Sequence, residues 1–472
     1  MPNPANNDQY FVSTRGRAPR ASFADILLAG LAPDGGLYLP EAWPQVDAAS
    51  QTAFAKAPYI ETARQILSLF AGGSFTPDEI TDDIYAAYAS FENEAIAPLV
   101  QIAPDLYLLE LFHGPTLAFK DIALQVLGRM FARALAKRGG RATVVAATSG
   151  DTGSAAIAAL GGLPNIDVFV LHPKGRVSDV QRRQMTTSPH DNVHNIALEG
   201  TFDDCQAIVK ALFAQDDFAK AVNMTAVNSI NFARIAAQCV YYFTATAQLG
   251  RPATFVVPTG NFGDVFAGEA AMRMGLRIEK LVVATNANDI MARVLNTGVY
   301  EPGTVQPSLS PSMDIQVASN FERALFEASG RDSDWLRGAM ESLARDKRLV
   351  LPLAVLAALR ERYLAARCDD AETLATISKA HSETGQVIDP HTAVALHAAY
   401  RLNRKAGSPV VVMATAHPAK FPGAVARATG TPPPLPARLK GLFEGQERMT
   451  VLANNKDLVR GHIEAKLRSH VP

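Results

Sequence analysis

The chain has 472 residues, 48% of them apolar and 19% charged, with a mean hydropathy of +0.03. That composition excludes a chain disordered throughout, and the length calls for two or three packed units rather than one. Lysine and arginine (45) nearly cancel aspartate and glutamate (46) to leave a formal charge of −1, so no broad field is available to hold nucleic acid or an anionic membrane surface.

In chain order, the first twenty residues lack the apolar stretch of a secretory leader, and no later run reaches about 18 uncharged apolar residues. Three cysteines, Cys205, Cys239 and Cys368, form no C-x-x-C pair, which fits a reducing compartment; a cytoplasmic protein is expected. Residues 1–100 carry short helical signals, SFADILLAGL and APYIETARQILSLFAGG, around the turn-rich APDGGLYLP, and read as a small N-terminal cap. The remainder, 101–472, reads as one catalytic unit of two lobes, one of them about 141–225, with a tail from about 430.

From about residue 105 β-branched runs alternate with helical periods. TVVAATS precedes GSAAIAALGG, DVFVLHP precedes a polar loop, VHNIALEG precedes DDCQAIVKALFAQ, ATFVVP precedes DVFAGEAAMRMG, and KLVVATN precedes NDIMARVLN. Such alternation predicts βαβ units and a mostly parallel sheet. Residues 320–406 are dominated by helical spacing, until PVVVMATA (409–416) predicts a strand that returns to an earlier sheet. The last thirty or so residues read as a short strand and helix.

In such α/β sheets ligands meet the carboxyl ends of strands, where the next helix presents unpaired N–H groups. Two junctions here are rich in glycine and small hydroxyls: Ser149, Gly150, Asp151, Thr152, Gly153 and Ser154 after one strand, and PTGNFGD after another, where Gly260 and Gly263 allow a concave nest of amides. A tight turn with a helix cap would use the same residue types. A third junction, VNSINFARI, places Asn228 and Ser229 as helix caps with Arg234 one to two turns on, able to add a charged contact to an anion. The nucleotide signatures G-x-G-x-x-G and G-x-x-x-x-G-K-[ST], and the serine-hydrolase elbow G-x-S-x-G, are absent from these loops. His190, His194, His391 and His397 lack the spacing and third ligand that a metal site requires.

The string LFHGPTLAFKD puts Lys120 in the first turn of a helix whose apolar positions run from Ile122 to Leu135. There the helix dipole opposes its charge, and Phe112, Leu117 and Phe119 could exclude water, so the amine is more easily neutral. A lysine of that kind is a nucleophile suited to a Schiff base, and with two anion loops beside it the set matches what pyridoxal phosphate and an amino-acid carboxylate require.

LFHGPTLAFKD, with ATSGDTGSAA, NSINFARI, PTGNFGD, ATAHPAKF and GLAPDGGLYLP, resembles the threonine synthase family in its longer form, over residues 10–422 or so. The resemblance implies a two-lobed fold type II enzyme, tryptophan-synthase-β-like, with pyridoxal 5'-phosphate between the lobes, converting O-phospho-L-homoserine and water to L-threonine and phosphate as a monomer or homodimer. It implies that Lys120 carries the cofactor, that Gly260, Asn261, Phe262, Gly263 and Asp264 cradle its phosphate, and that Thr415 faces its ring nitrogen. Asp264 would then offer only its amide, its carboxylate turned away. Ser149, Asp151 and Thr152 would meet the substrate carboxylate and the ring oxygen, and Asn228, Ser229 and Arg234 the substrate phosphate. A dehydratase or phospholyase acting on a related amino acid, or a non-catalytic sensor on the same fold, are the alternatives.

Overall fold

The computed structural model describes residues 9–225, 229–403 and 407–468. Two sheets organise them. The larger has six strands in the order Tyr363–Arg367, Lys280–Thr285, Thr254–Pro258, Val410–Ala414, Leu106–Glu110 and Leu99–Ala103, all parallel except the last, which runs antiparallel to its neighbour. The smaller is wholly parallel: Thr450–Ala453, Val193–Glu199, Ile166–Pro173, Ala142–Ala147 and Met224–Thr225. The strand Ile166–Pro173 is buried at all eight positions, as expected of a strand covered by helices on both faces.

The returning strand predicted at 409–416 does rejoin an earlier sheet: Val410–Ala414 lies between Thr254–Pro258 and Leu106–Glu110. Two expectations give way. The polar loop after DVFVLHP contains a helix, Asp179–Thr186, started by a reciprocal cap between Ser178 and Gln181. Its few apolar residues, Val180 and Met185, leave little periodicity to read. Within the stretch dominated by helical spacing, Tyr363–Arg367 becomes an edge strand because Lys280–Thr285 offers it a parallel ladder, overriding a weak local preference.

The N-terminal segment is built of four helices, a short 3₁₀ turn and a two-stranded antiparallel pair, Phe11–Ser13 with Tyr38–Pro40. Its apolar side chains run into the same core as the long helix Phe232–Leu249; the rings of Phe70 and Phe232, for example, lie 5.4 Å apart. The smaller sheet has a further core on one face, where Phe169, Leu171 and Ile196 meet Val459 and Ile463 of the C-terminal helix. The strands Ala142–Ala147, Thr254–Pro258 and Val410–Ala414 deliver their carboxyl ends to one cavity, and the loop after Leu106–Glu110 reaches it at Phe119 and Lys120.

Candidate active site

The chain leaves strand Leu106–Glu110 and turns into the helix Lys120–Lys137. Asp121 closes that turn, accepting from Thr116 N and Thr116 Oγ1, each at 2.7 Å. Gly114 is required by space, since a Cβ there would stand 2.3 Å from Asp121 Cβ. The far side of the turn is stitched to the end of the Val410–Ala414 strand: Phe119 N donates to Thr415 O at 2.8 Å and His417 N to Leu117 O at 3.0 Å. Lys120 thereby becomes the first helical residue, beside Thr415 and withdrawn from water, 9% exposed.

The Lys120 ammonium group meets Asp151 Oδ2 at 3.5 Å and Ser312 Oγ at 3.4 Å. Burial pulls its pKa below the ordinary lysine value, helped by the cations Lys420 and Arg234 and opposed by Asp151. Asp151 itself opens the helix Asp151–Leu160. Gly150 precedes it at φ 134°, and Thr148 Oγ1 ties the loop by accepting from Gly150 N and Gly153 N at 2.9 Å. Around the Asp151 carboxylate, Lys420 Nζ lies 2.9 Å from Oδ1, Gln181 Nε2 donates to Oδ1 at 2.9 Å and Ser312 Oγ to Oδ2 at 3.2 Å. Burial alone would raise its pKa; Lys420, Lys120 and His391 instead hold it well below the carboxylate range.

The PTGNFGD loop follows strand Thr254–Pro258 and starts the helix Gly263–Arg273. Gly260 passes so close to the Ser312 carbonyl that a Cβ would lie 2.6 Å from its oxygen. Phe262 takes a left-handed φ of 65° and buries its ring against Phe321 and Tyr363, which aims the helix start at the cavity. The Asp264 carboxylate points to the helix Phe232–Leu249, where Tyr241 Oη donates to Oδ1 at 2.5 Å and Tyr242 Oη at 3.2 Å. Burial pushes its pKa up to about 6 against the pull of both tyrosines and Arg234.

Arg234 is 3% exposed, and among the described residues its Nε and Nη1 have no hydrogen-bond partner. Burial brings its pKa down to about 10. A guanidinium left unpaired inside a protein is costly, so these nitrogens aimed into a cavity call for an anion. The helix that carries Arg234 is capped by Asn231, whose side chain accepts from Ala233 N and donates to Leu27 O. Ser229 is therefore not the cap expected from sequence; its carbonyl accepts from Asn320 Nδ2. Asn228 lies outside the described residues.

One cavity of about 1520 Å³ is lined by Lys120, Ser149, Asp151, Thr152, Ser229, Arg234, Gly260, Asn261, Phe262, Gly263, Asp264 and Thr415. Phe112, expected to shield Lys120, packs instead against His113 and His417, while the Phe119 ring stays beside the lysine, its centroid 5.8 Å from Nζ, and Leu117 is buried. Three polar neighbours escaped the sequence reading. Ser312 comes from an irregular loop with no signal. His391 accepts from Ser312 N at 3.3 Å and pairs with Asp389 at 2.7 Å, but lies far along the chain. Lys420 stood in ATAHPAKF, a motif read only for Thr415. Away from the cavity, Cys368, Glu372 and His397 bring potential ligand atoms within 4.8 Å of one another. Arg401 already meets Glu372 at 3.6 Å, and burial pushes the Cys368 thiol up to about 12, so that trio has its cation and lacks a thiolate.

The features of the cavity suit pyridoxal phosphate: a buried amine, a helix start that a side chain cannot obstruct, and an unpaired guanidinium. Comparison with known proteins agrees. The model of the pyridoxal-phosphate dependent enzyme family matches residues 94–368, and those of the threonine synthase N terminus and C-terminal region match 10–88 and 392–463. The chain is 48% identical to threonine synthase of Pseudomonas aeruginosa, over 96% of this chain and 97% of that protein. Among solved structures, pyridoxal-phosphate-bound threonine synthase from Brucella melitensis superposes with a TM-score of 0.95 at 50% identity, covering 98% of this chain and all of that one. Yeast threonine synthase gives 0.93 at 38% identity, over 98% and 99% of the two chains.

Proposed function

Because the chain belongs to the threonine synthase family of pyridoxal-phosphate enzymes, we propose that its cavity converts O-phospho-L-homoserine and water to L-threonine and inorganic phosphate. The observation that carries the substrate choice is Arg234, a buried guanidinium with unpaired nitrogens in the same cavity as a buried lysine.

Lys120 holds the cofactor in this reading, the helix start at Gly260, Asn261, Phe262, Gly263 and Asp264 receives its phosphate through backbone amides, and Thr415 gives its ring nitrogen a neutral partner. When bound, pyridoxal phosphate supplies a conjugated ring that takes up the electron pair left as protons leave Cα and then Cβ of the amino acid. Lys120 is the base that would accept the Cα proton, and burial lowers its affinity for that proton below that of an ordinary lysine, which eases its later return. Ser149, Thr152 and the amides around them orient the substrate carboxylate. Arg234, with Ser229 and Asn228, grips the phosphate, so binding energy at a remote group aligns Cγ for its departure. The proton that left Cβ is delivered to Cγ, which becomes the methyl group, water then adds its hydroxyl at Cβ while its proton goes to the departing phosphate, and Lys120 returns the proton to Cα.

The side chain of Asp264 fits this placement: it is turned to Tyr241 and Tyr242, which leaves its amide for the phosphate. Among the described residues no helix is long and apolar enough to cross a membrane. With three buried, unpaired cysteines this supports work in the cytoplasm.

The test is to incubate the pyridoxal-phosphate-loaded protein with O-phospho-L-homoserine and assay threonine and phosphate together. Equal yields are expected; phosphate with a 2-oxo acid and no threonine would replace this reading with a lyase. Arg234→Ala should raise KM at least about thirtyfold while the visible cofactor band persists. Loss of the band instead would assign Arg234 to the cofactor's phosphate.

A further inference from the structure

Lys420 has no water contact, being 0% exposed, and it is not among the residues that line the cavity. A lysine is almost never found wholly inside a protein unless it is paired, so this one has been built in. It lies in the 3₁₀ turn Pro418–Lys420 that follows Thr415, and its ammonium group reaches two acceptors. It donates to Thr116 O at 2.7 Å and lies 2.9 Å from Asp151 Oδ1.

The second contact matters because Asp151 divides its oxygens. Oδ1 takes Lys420 and Gln181, and Oδ2 takes Lys120 and Ser312. One carboxylate thus bridges two buried ammonium groups, and the oxygen held by Lys420 dictates which way the other faces. We propose that Lys420 is a positioning residue for the reaction, a buried cation that anchors Asp151 so that its second oxygen stays on the Lys120 amine.

The charges around it set the sign of its effect. Asp151 faces Lys420 directly, and Asp121 stands behind the Thr116 turn. Lys120 and His391 act across Asp151, and Arg234 acts on Lys120 from the neighbouring helix. The side chains from helix Asp179–Thr186, Gln181 and Gln184, are neutral and bond to Asp151 and Thr116. Removing Lys420 deletes a positive charge and leaves Asp151 with one counter-ion fewer, and both changes favour a proton at Lys120. The same carboxylate also loses the bond that fixes its rotation. Lys420 therefore works against over-protonation of Lys120 and in favour of its alignment.

This inference rests on Lys120 being the cofactor lysine, so the experiment reads the cofactor. The visible band of the pyridoxal-phosphate-loaded protein is titrated over about pH 5 to 10 in wild type, Lys420→Met, Lys420→Gln and Lys420→Arg. In Lys420→Met the pH at which the band changes should rise by about one unit, and kcat should fall about tenfold with KM little altered. Lys420→Gln can still bond Thr116 and Asp151, so it serves where the methionine variant does not fold; a smaller rise is expected. Lys420→Arg, which keeps the charge, should titrate close to wild type.

A folded, cofactor-loaded Lys420→Met or Lys420→Gln protein with the wild-type titration would overturn the proposal. So would a shift in Lys420→Arg as large as that of the methionine variant, because it would assign the effect to packing. Lys120→Ala separates the two levels. A band that survives in that variant sinks the reading of the site itself, whereas a Lys120-dependent band indifferent to residue 420 sinks only this inference.

Discussion

At the scale of single residues, two buried carboxyls of the cavity are shifted in opposite directions, one by its charged neighbours and the other by burial. Asp151 sits among cations and is held well below the usual range, whereas burial pushes Asp264 up to about 6 against the pull of its two tyrosine donors. The second has a definite consequence for stability. A carboxyl whose folded pKa lies above its unfolded value binds more protons when folded, so its contribution is fully present below about pH 4 and is lost as pH rises through about 6. At neutral pH the buried charge costs about 3 kcal/mol at most on that basis. In Asp264→Asn the amide oxygen still accepts from Tyr241 and Tyr242, so the cost disappears. Urea unfolding of the two proteins should show a stability difference in favour of Asp264→Asn that opens between about pH 4 and 7. An unchanging difference across that range would mean that Asp264 is ionised throughout.

At the scale of elements, the start of the Phe232–Leu249 helix is set by Asn231, which joins it to the N-terminal segment through Leu27 O at 2.9 Å as well as capping Ala233 N at 3.0 Å. Asn231→Ala should lose both contacts, cost about 1–2 kcal/mol in thermal or urea unfolding, and loosen Arg234 three residues on. An unchanged midpoint would show the cap to be dispensable. The same helix start illustrates what the sequence carried and what it did not. NSIN offers three capping residues in four positions, and nothing local says which one the chain will use. Arg234 was legible because a charge on a helix face after a cap has a chemical meaning, but its burial was not, since that comes from helices elsewhere in the chain. The glycine-rich loops were legible for the same chemical reason. The cause of Gly260 was hidden, because it is the Ser312 carbonyl, some fifty residues away, that fills the space a side chain would need. Ser312 and His391 reach the site only through the fold, and Lys420 was passed over because one lysine in a motif reads as solvated until its burial is seen.

At the scale of the whole molecule, the C-terminal tail is part of the smaller lobe and touches the chemistry at one remove. Its strand Thr450–Ala453 extends the sheet beside Val193–Glu199, and Val459 and Ile463 complete the core under Phe169 and Ile196. Just ahead of that strand, Glu447 pairs with Arg182 and accepts from Thr186 Oγ1 at 2.8 Å, which secures the helix Asp179–Thr186. That helix supplies Gln181 to Asp151. Burying Val459 and Ile463 together contributes roughly 3–6 kcal/mol, too much for an edge element to lose quietly. Removing residues 447–472 should therefore raise hydrogen exchange in Val193–Glu199 and Asp179–Thr186 by orders of magnitude, while Thr254–Pro258 and Val410–Ala414 in the larger sheet keep their protection. Uniform loss of protection across both sheets would instead mean that the two lobes unfold as one unit and that the tail supports the whole molecule.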